Sequence, residues 1–379
     1  MQTTTLGHYL LPNLRTIRWG YHSWELLPFL RLFLNPELTD VGIQFLASDP
    51  HVYRPAVISL IPAKDLTHLR LGFMWDHDPL YMNALHNLLD RASKSLRTVR
   101  LVGDLSMAVV EKLIQLPNLR HLDVIMPETR VSPPTVVFPS LKTLSVRYAE
   151  GSIWLHVLRN IPNPTLRELN VIYWGSSRAY LQTLGSSLID ANLHRTLTSA
   201  ECGCMEAIPL TEAGLRPFLS FEGLTELKLP SSCEGKRCTF QLDDAIVSEL
   251  AVALPHLTYL LLGNTPCNTP PSGVTITSLV ALSTNCVDLD FLQLHFDVKT
   301  IISRDTYTNS QTRRFTCKLR NLSVGFLPLP RNHDDAFLVT FTIFHIFPYL
   351  EVIATISEDW DQFGRAAQSF QRASKTVPS

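Results

Sequence analysis

Apolar residues recur along the chain in a short pattern of the form L-x-x-L-x-L, in which x is any residue. The segment LPNLRHLDV shows this pattern, with Leu119, Leu122 and Val124 at the three apolar positions. Successive side chains of a β-strand point to opposite faces, so an apolar residue at every second position predicts a strand with one buried face. Each copy of the pattern therefore predicts one short strand.

Copies of the pattern follow one another at intervals of 22 to 33 residues. Their first apolar residues are Leu14, Leu38, Leu66, Leu96, Leu119, Leu141, Leu166, Leu224, Leu257, Leu289, Leu319 and Leu350. The interval between Leu166 and Leu224 is about twice as long as the others, and a weaker copy (Leu197, Ala200 and Cys202) lies inside it. Thirteen stacked units of this period could bury a continuous core that no single unit can form alone.

The segments between the predicted strands carry apolar residues at spacings of three and four, which predicts helices. The clearest are 81–95, 106–116, 151–161, 242–254 and 334–347. Asp243 or Asp244 can cap the fourth of these helices, and Asn332 or Asp334 the fifth. Two proline-rich segments, 127–139 and 264–273, interrupt the rhythm and predict loops at one rim.

The alternation of strands and helices is typical of an α/β leucine-rich-repeat solenoid with about thirteen irregular repeats. Its parallel strands would form the concave face of a curved arc, and its helices would form the convex face. The predicted repeat domain covers residues 1–356, with its first strand near 14–19 and its last near 350–356. Residues 357–379 then form a polar C-terminal cap and tail, which the end of a solenoid requires.

Outward-facing strand positions are the best candidates for binding a partner. We select Arg18, His68, Arg70, Arg100, His121, Asp123, Arg147, Tyr259, Leu261 and Phe291. The early strands are basic and the later ones apolar or aromatic, and both kinds of residue are common anchors of protein interfaces. We expect an acidic or phosphorylated segment at the early arginines and an apolar anchor at Tyr259 and Phe291. The alternative is that these side chains are simply solvated.

Composition narrows the possible partners and compartments. The 379 residues carry 33 basic and 34 acidic side chains and a formal net charge of -1, so no overall field favours nucleic acid or an anionic membrane. The seven cysteines, an odd number, indicate reduced thiols. No secretory signal is evident, and the longest apolar run, 336–350, is shorter than the roughly 20 residues needed to span a bilayer. We therefore expect an intracellular protein in the cytoplasm, the nucleus or both.

Candidate chemical sites are few. Cys202, Cys204, Cys233 and Cys238 lie about one repeat apart and could supply four thiolates to zinc, but the spacing is not a standard C-x-x-C pair, and buried thiols that pack as small apolar groups are the preferred explanation. The polar clusters at 75–78 and 332–335 are explained by helix capping and turns. Neither a nucleophile elbow nor an H-E-x-x-H pair nor a phosphate loop is present. We expect no catalytic residue, no metal and no cofactor, and so no enzyme.

Several strands, LPNLRTIRW, LPNLRHLDV, FPSLKTLSV and LPHLTYLLL, together with LTEAGLRPFLSFEGLTELKL, resemble the leucine-rich-repeat regions of fungal F-box proteins. The resemblance covers residues from about 10 to 356. It implies a target-binding arm of an SCF-type ubiquitin ligase, which directs proteins to ubiquitin-dependent degradation. The chain departs from that family in having no F-box before its first strand, so a Skp1-type adaptor is expected only if an F-box lies upstream.

We therefore expect a protein-recognition scaffold, either the substrate-binding arm of an F-box receptor or a derivative without the F-box. One alternative is a binding scaffold or inhibitor that acts independently of a ligase. Another is a nucleic-acid-binding solenoid that uses the basic early strands, although the net charge near zero counts against it.

Overall fold

The computed structural model describes residues 9–20, 24–45, 53–72, 78–103, 105–126, 138–149, 158, 165–175, 177, 179–204, 209–230, 240–263, 273–297, 315–325 and 333–355. These residues form an α/β fold in which thirteen strands make a parallel sheet, and the strand order follows the chain. The α/β class and the parallel sheet predicted from the apolar pattern are confirmed. The chain divides into two compact units, Met1–Glu168 and Leu169–Ser379, called here the N-terminal unit and the C-terminal unit.

The N-terminal unit alternates short strands with helices. Its strands are β1 (Thr16–Trp19), β2 (Asp40–Gln44), β3 (His68–Gly72), β4 (Thr98–Val102), β5 (His121–Met126) and β6 (Thr143–Ala149). Its helices are α1 (Leu27–Leu30), α2 (Tyr53–Leu60), α3 (Pro79–Arg91) and α4 (Met107–Ile114), and a 3-10 turn, Trp24–Leu26, precedes α1. Helix α2 packs against α3, and α3 against α4, so consecutive return segments lie side by side.

The C-terminal unit repeats this arrangement with one addition. Its strands are β7 (Glu168–Trp174), which begins one residue before the unit, β8 (Ser199–Cys204), β9 (Leu210–Thr211), β10 (Glu226–Leu229), β11 (Phe240–Gln241), β12 (Tyr259–Leu262), β13 (Phe291–Gln293), β14 (Asn321–Gly325) and β15 (Val352–Thr355). Its helices are α5 (Tyr180–Asp190), α6 (Glu212–Leu215), α7 (Asp244–Ala253), α8 (Ile276–Asn285) and α9 (His333–Ile346). Two 3-10 segments, Leu193–Arg195 and Arg216–Ser220, complete it. Strands β9 and β11 pair with each other as a separate two-stranded sheet, which the apolar pattern did not predict.

Each strand of the large sheet begins two residues after the first apolar residue of its repeat. In the fifth repeat, Leu119, Leu122 and Val124 are at most 2% exposed, and His121 between them is exposed. The weak eighth copy behaves in the same way, because Leu197, Ala200 and Cys202 are fully buried. The apolar positions therefore form the core, and the intervening positions form what we call the outer face of each unit's sheet.

Four of the five helices predicted as clearest, and the cap predicted at Asp243, appear among the described residues. The cap predicted at Asn332 or Asp334 is not shown, because Asn332 lies outside the described residues and Asp334 lies inside the helix. The first residues of helices α3, α4, α7 and α9 lie within one or two residues of the predicted positions. Asp243 caps α7 by accepting a hydrogen bond from the backbone N–H of Ile246, and Asp78 caps α3 by accepting one from Leu80. The predicted capping role of Asp78 in its polar cluster is thus confirmed.

Some predictions fall where the structure gives no description. They include the rim loops at 127–137 and 264–272, the helix at 151–161 apart from Leu158, and the cap and tail at 357–379. Cys233 and Cys238 likewise lie outside the described residues. Among the described residues, no helix combines the length and the apolar character needed to cross a membrane.

Candidate protein-binding face

The outer face of the N-terminal unit is built from residues that lie side by side on neighbouring strands. Arg18 on β1 pairs in register with Gly42 on β2, which pairs with Arg70 on β3, and Arg70 pairs with Arg100 on β4. Asp123 on β5 continues this row beside Arg100. Three of the four arginines proposed from the sequence therefore lie in one row across the sheet.

Asp40 fixes the position of Arg18 through a two-point contact. Both terminal nitrogens of the guanidinium donate hydrogen bonds of 2.5 Å to the two carboxylate oxygens of Asp40. These bonds raise the pKa of Arg18, whose side chain is 43% exposed. Such a two-point pair holds the guanidinium in a defined orientation.

Asp123 forms ion pairs with arginines at the other end of the row. Its Oδ2 lies 3.0 Å from Nε of Arg100, and its Oδ1 lies 3.8 Å from a terminal nitrogen of Arg147. One carboxylate therefore lies between two arginines. Asp123, selected from the sequence as a candidate contact residue, is placed to orient its neighbours.

Arg70 differs from the other three arginines. Its side chain is exposed, and its guanidinium makes no ion pair or hydrogen bond with any residue that the structure describes. It is held between Arg18 and Arg100 only by the register of the strands.

Glycines open a cleft between these arginines. An added Cβ at Gly42 would lie 2.7 Å from Cδ of Arg18, and one at Gly72 would lie 3.0 Å from the side-chain amide of Gln44. The missing side chains let Arg18 and Gln44 lie across the neighbouring strands. The resulting cleft has a volume of about 380 Å³ and is lined by Arg18, Trp19, Gly20, Gly42, Ile43, Gln44, Arg70, Leu71, Gly72, Arg100, Val102 and Arg147.

The two selected histidines lie outside this lining. His68 and His121 belong to the adjacent outward row, at the beginnings of β3 and β5, where both pair in register with Thr98. His68 is half-buried, and its Nδ1 lies 2.8 Å from Oγ1 of Thr67. His121 is exposed. The histidines thus lie in the outward row next to the row of arginines.

The outer face of the C-terminal unit carries an aromatic pair. The rings of Tyr259 and Phe291 stack with their centres 4.2 Å apart and their planes 7° from parallel. The ammonium of Lys228 lies 4.7 Å from the centre of the Tyr259 ring and 3.1 Å from Oε2 of Glu226. Partial burial raises the pKa of the Tyr259 phenol; Lys228 opposes this effect, and the carboxylates of Glu201 and Glu226 add to it.

Leu261 and Gln293 lie side by side in the next outward row of this unit. Leu261 is half-buried, as expected for an apolar residue on the outer face. Gln293 is only 9% exposed, and its side-chain amide donates a hydrogen bond of 3.2 Å to the carbonyl of Gly263. The outward row next to the aromatic pair therefore carries one apolar side chain and one buried amide.

The cysteines pack as thiols in the described part of the chain. Cys202 is fully buried, and burial raises the pKa of its thiol. The Cys204 thiol donates a hydrogen bond to the carbonyl of Gly175. Burial also raises the pKa of Cys286 to about 12 and that of Cys317 to about 11. Among the described residues, no group of three or more His, Cys, Asp or Glu side chains is placed to hold a metal ion.

Sequence reasoning found the arginines and the aromatic residues but missed what organises them. The sequence prediction assigns no role to Asp40, Gly42 or Glu226, although all three occupy outward-facing strand positions. Alignment of the repeats could have identified these residues. It places Asp40 on the strand next to that of Arg18, and it places Gly42 in register with Arg18. Comparison with models of known protein families and with curated protein sequences finds no match for this chain.

Proposed function

We propose that the chain is a leucine-rich-repeat scaffold that binds a target protein on the outer face of its parallel sheet. The observation that carries the proposal is the row Arg18, Arg70, Arg100 and Asp123, whose side chains lie in register on four strands above a cleft floored by glycine. Repeat arrays of this class use an extended sheet face for recognition. The curvature of the array, with its strands on the concave side, is part of the proposal.

Two kinds of side chain on the outer faces support the proposal that the partner is a protein. Arginine and aromatic side chains are enriched among the residues that dominate binding energy at protein interfaces. The N-terminal unit offers arginines held by carboxylates, and the C-terminal unit offers the stacked Tyr259 and Phe291. The proposal assigns the chain no catalytic step.

Photo-crosslinking tests which side of each unit meets the target. A photoactivatable amino acid is introduced in place of His121 or Leu261, which lie on the outer faces, and in matched controls in place of Leu80 or Val252. These controls are 66% and 67% exposed positions on helices. We expect crosslinks to the same protein from the outer positions and none from the helical ones. Crosslinks formed mainly from Leu80 and Val252 would reject the proposal.

The role in a ubiquitin ligase rests on the resemblance to fungal F-box proteins and is a separate part of the proposal. In that role, the scaffold recruits the target while an F-box elsewhere in the gene product binds a Skp1-type adaptor. Co-purification of the product of the complete gene with such an adaptor tests it. If the adaptor is absent while the target is still captured, the chain acts as a ligase-independent scaffold or inhibitor.

A further inference from the structure

Basic residues occupy the same position in four consecutive repeats of the N-terminal unit. Each directly precedes the first residue of a strand, from β4 to β7, and they are Arg97, Arg120, Lys142 and Arg167. Their backbones form one hydrogen-bonded row, because the N–H of each donates to the carbonyl of the one before it at 2.8 Å. This row, called here the basic edge, therefore lies along the edge of the sheet at which the strands begin.

The basic edge is not neutralised by carboxylates in the way that the outer-face cleft is. All four side chains are exposed, and those of Arg97, Arg120 and Lys142 make no ion pair or hydrogen bond with any residue that the structure describes. Within two residues of the row the sequence has one carboxylate, Glu168, which accepts a hydrogen bond of 3.1 Å from Oγ1 of Thr143. In the cleft, by contrast, carboxylates pair with three of the four arginines.

The spacing of the strands sets the length of the basic edge. Neighbouring strands lie about 4.8 Å apart, so the four cations span about 14 Å. An extended peptide advances about 3.3 Å per residue, and about five residues cover that length. The corresponding residues of the repeats before and after the row are uncharged, namely Thr67 and Thr198. The basic edge thus has the length of a short peptide segment.

We propose that the basic edge binds a run of aspartate and glutamate residues in a partner protein. The side-chain carboxylates of the run accept charge-assisted hydrogen bonds from the guanidinium and ammonium groups of the row. A single exposed ion pair contributes little, whereas several charges that form one network contribute more. This contact lies at the edge of the sheet and does not depend on recognition at its outer face.

Charge spacing favours an acidic peptide over a nucleic acid. An extended acidic run carries one charge per about 3.3 Å, close to the one per about 4.8 Å of the basic edge, whereas duplex DNA carries one per about 1.7 Å. Single strands are usually bound by stacking on aromatic side chains. Within two residues of each member of the row the sequence has no Phe, Tyr or Trp. The formal net charge of -1 also gives the chain no overall attraction for a long polyanion.

Fluorescence anisotropy with a labelled peptide tests the proposal. The probe contains about six consecutive Glu and Asp residues, enough to cover the row, and a second peptide has Gln and Asn at the same positions. We expect the whole chain to bind the acidic peptide at least about 10-fold more tightly than the amide peptide, and added salt to weaken that binding because exposed charges are screened. The double variant Arg120→Glu/Lys142→Glu should lower the affinity about 10-fold, since it replaces two attractions by two repulsions.

Arg15→Glu/Arg31→Glu is the matched control, because it changes the net charge by the same amount in the same unit. Both residues are exposed and without an ion pair in the described part of the chain, and Arg15 holds the corresponding position of the first repeat. Strand β1 lies three strand spacings from β4, about 14 Å and more than the Debye length of about 8 Å, so the affinity should fall less than about 2-fold. Cooperative thermal melting of both double variants establishes that they fold.

Three outcomes would overturn the proposal. The first is equal affinity for the acidic and amide peptides, and the second is an equal loss of affinity in the two double variants. The third is tighter binding of random single-stranded RNA, or of vesicles that contain phosphatidylserine, when that binding is lost in Arg120→Glu/Lys142→Glu. The basic edge would then serve a nucleic acid or a membrane instead of a protein.

Discussion

Gly42 shows how one missing side chain shapes the N-terminal face. It lies between Arg18 and Arg70 in the row across the sheet, where any other residue would place a Cβ against the Arg18 side chain. Glycine usually weakens a strand. Here it allows Arg18 to lie over β2 and reach Asp40 in the same strand.

We predict that Gly42→Val closes part of the cleft and displaces Arg18 from Asp40. An exposed ion pair contributes only about 0–1 kcal/mol and valine favours a strand, so the free energy of unfolding should change by less than about 1 kcal/mol. Crosslinking of the target from a photoactivatable residue at position 121 should nevertheless fall several-fold. Urea unfolding and the crosslinking yield measure the two effects.

The control for this change is Gly223→Ala, which lies in a turn and whose new Cβ would meet only the Leu197 carbonyl oxygen, at 3.9 Å. It should alter neither quantity appreciably. A Gly42→Val variant that crosslinks to the target as efficiently as the unchanged chain would show that the glycine at this position is not needed for recognition.

At the scale of elements, the carboxylate of Asp244 forms hydrogen bonds that connect helix α7 to the beginning of helix α8. Oδ1 of Asp244 accepts hydrogen bonds from the backbone N–H of Thr275 at 2.7 Å and from Oγ of Ser278 at 2.5 Å. Its Oδ2 accepts a further bond from Oγ1 of Thr275 at 2.5 Å. One side chain in the first turn of α7 therefore satisfies polar groups at the beginning of α8.

We predict that Asp244→Ala lowers the free energy of unfolding by about 1–3 kcal/mol, because it leaves donors of the half-buried Thr275 and the buried Ser278 without their acceptor. The comparison is Asp243→Ala, which removes only the cap of α7 and should cost about 0.5–2 kcal/mol. Urea denaturation measures both. A smaller loss for Asp244→Ala than for Asp243→Ala would contradict the proposed link between the helices.

At the scale of the whole molecule, each strand of the sheet exchanges hydrogen bonds with its immediate neighbours in chain order. In the N-terminal unit, β5 pairs with β4 on one side and with β6 on the other. Stability in such an array is close to a sum of repeat and nearest-neighbour contributions. A defect in one repeat should therefore act mainly on the adjoining repeats.

We predict that Leu122→Ala, at a position 2% exposed in β5, costs about 2–5 kcal/mol and speeds amide hydrogen exchange chiefly in β4, β5 and β6. His121→Ala, one residue away on the outer face, should change exchange little. Hydrogen exchange followed by mass spectrometry resolves the strands. An equal increase across β10, β12 and β13 of the C-terminal unit would show that the chain unfolds as one cooperative body.

The repeat pattern alone determined much of this structure. An apolar residue at every second strand position must face a core, so the alternation predicted all thirteen strands of the sheet, including the weak one at Ser199–Cys204. Aligning the repeats also predicted which positions are neighbours, because stacked units of similar length keep their strands in register. The alignment thus predicts that Arg70 and Arg100 lie side by side on adjoining strands, and the register of β3 and β4 confirms it.

Only the tertiary structure decided what those neighbours do to one another. Long side chains such as Arg18 have many rotamers, and the choice among them depends on what lies within reach on the next strand. Asp40, Asp123 and the empty space above Gly42 set that choice for three arginines. The same holds for Tyr259 and Phe291, which pack ring against ring because the spacing of parallel strands brings them face to face. A linear pattern specifies which face a side chain occupies, whereas its partner on that face is selected by distances that exist only after the strands have assembled.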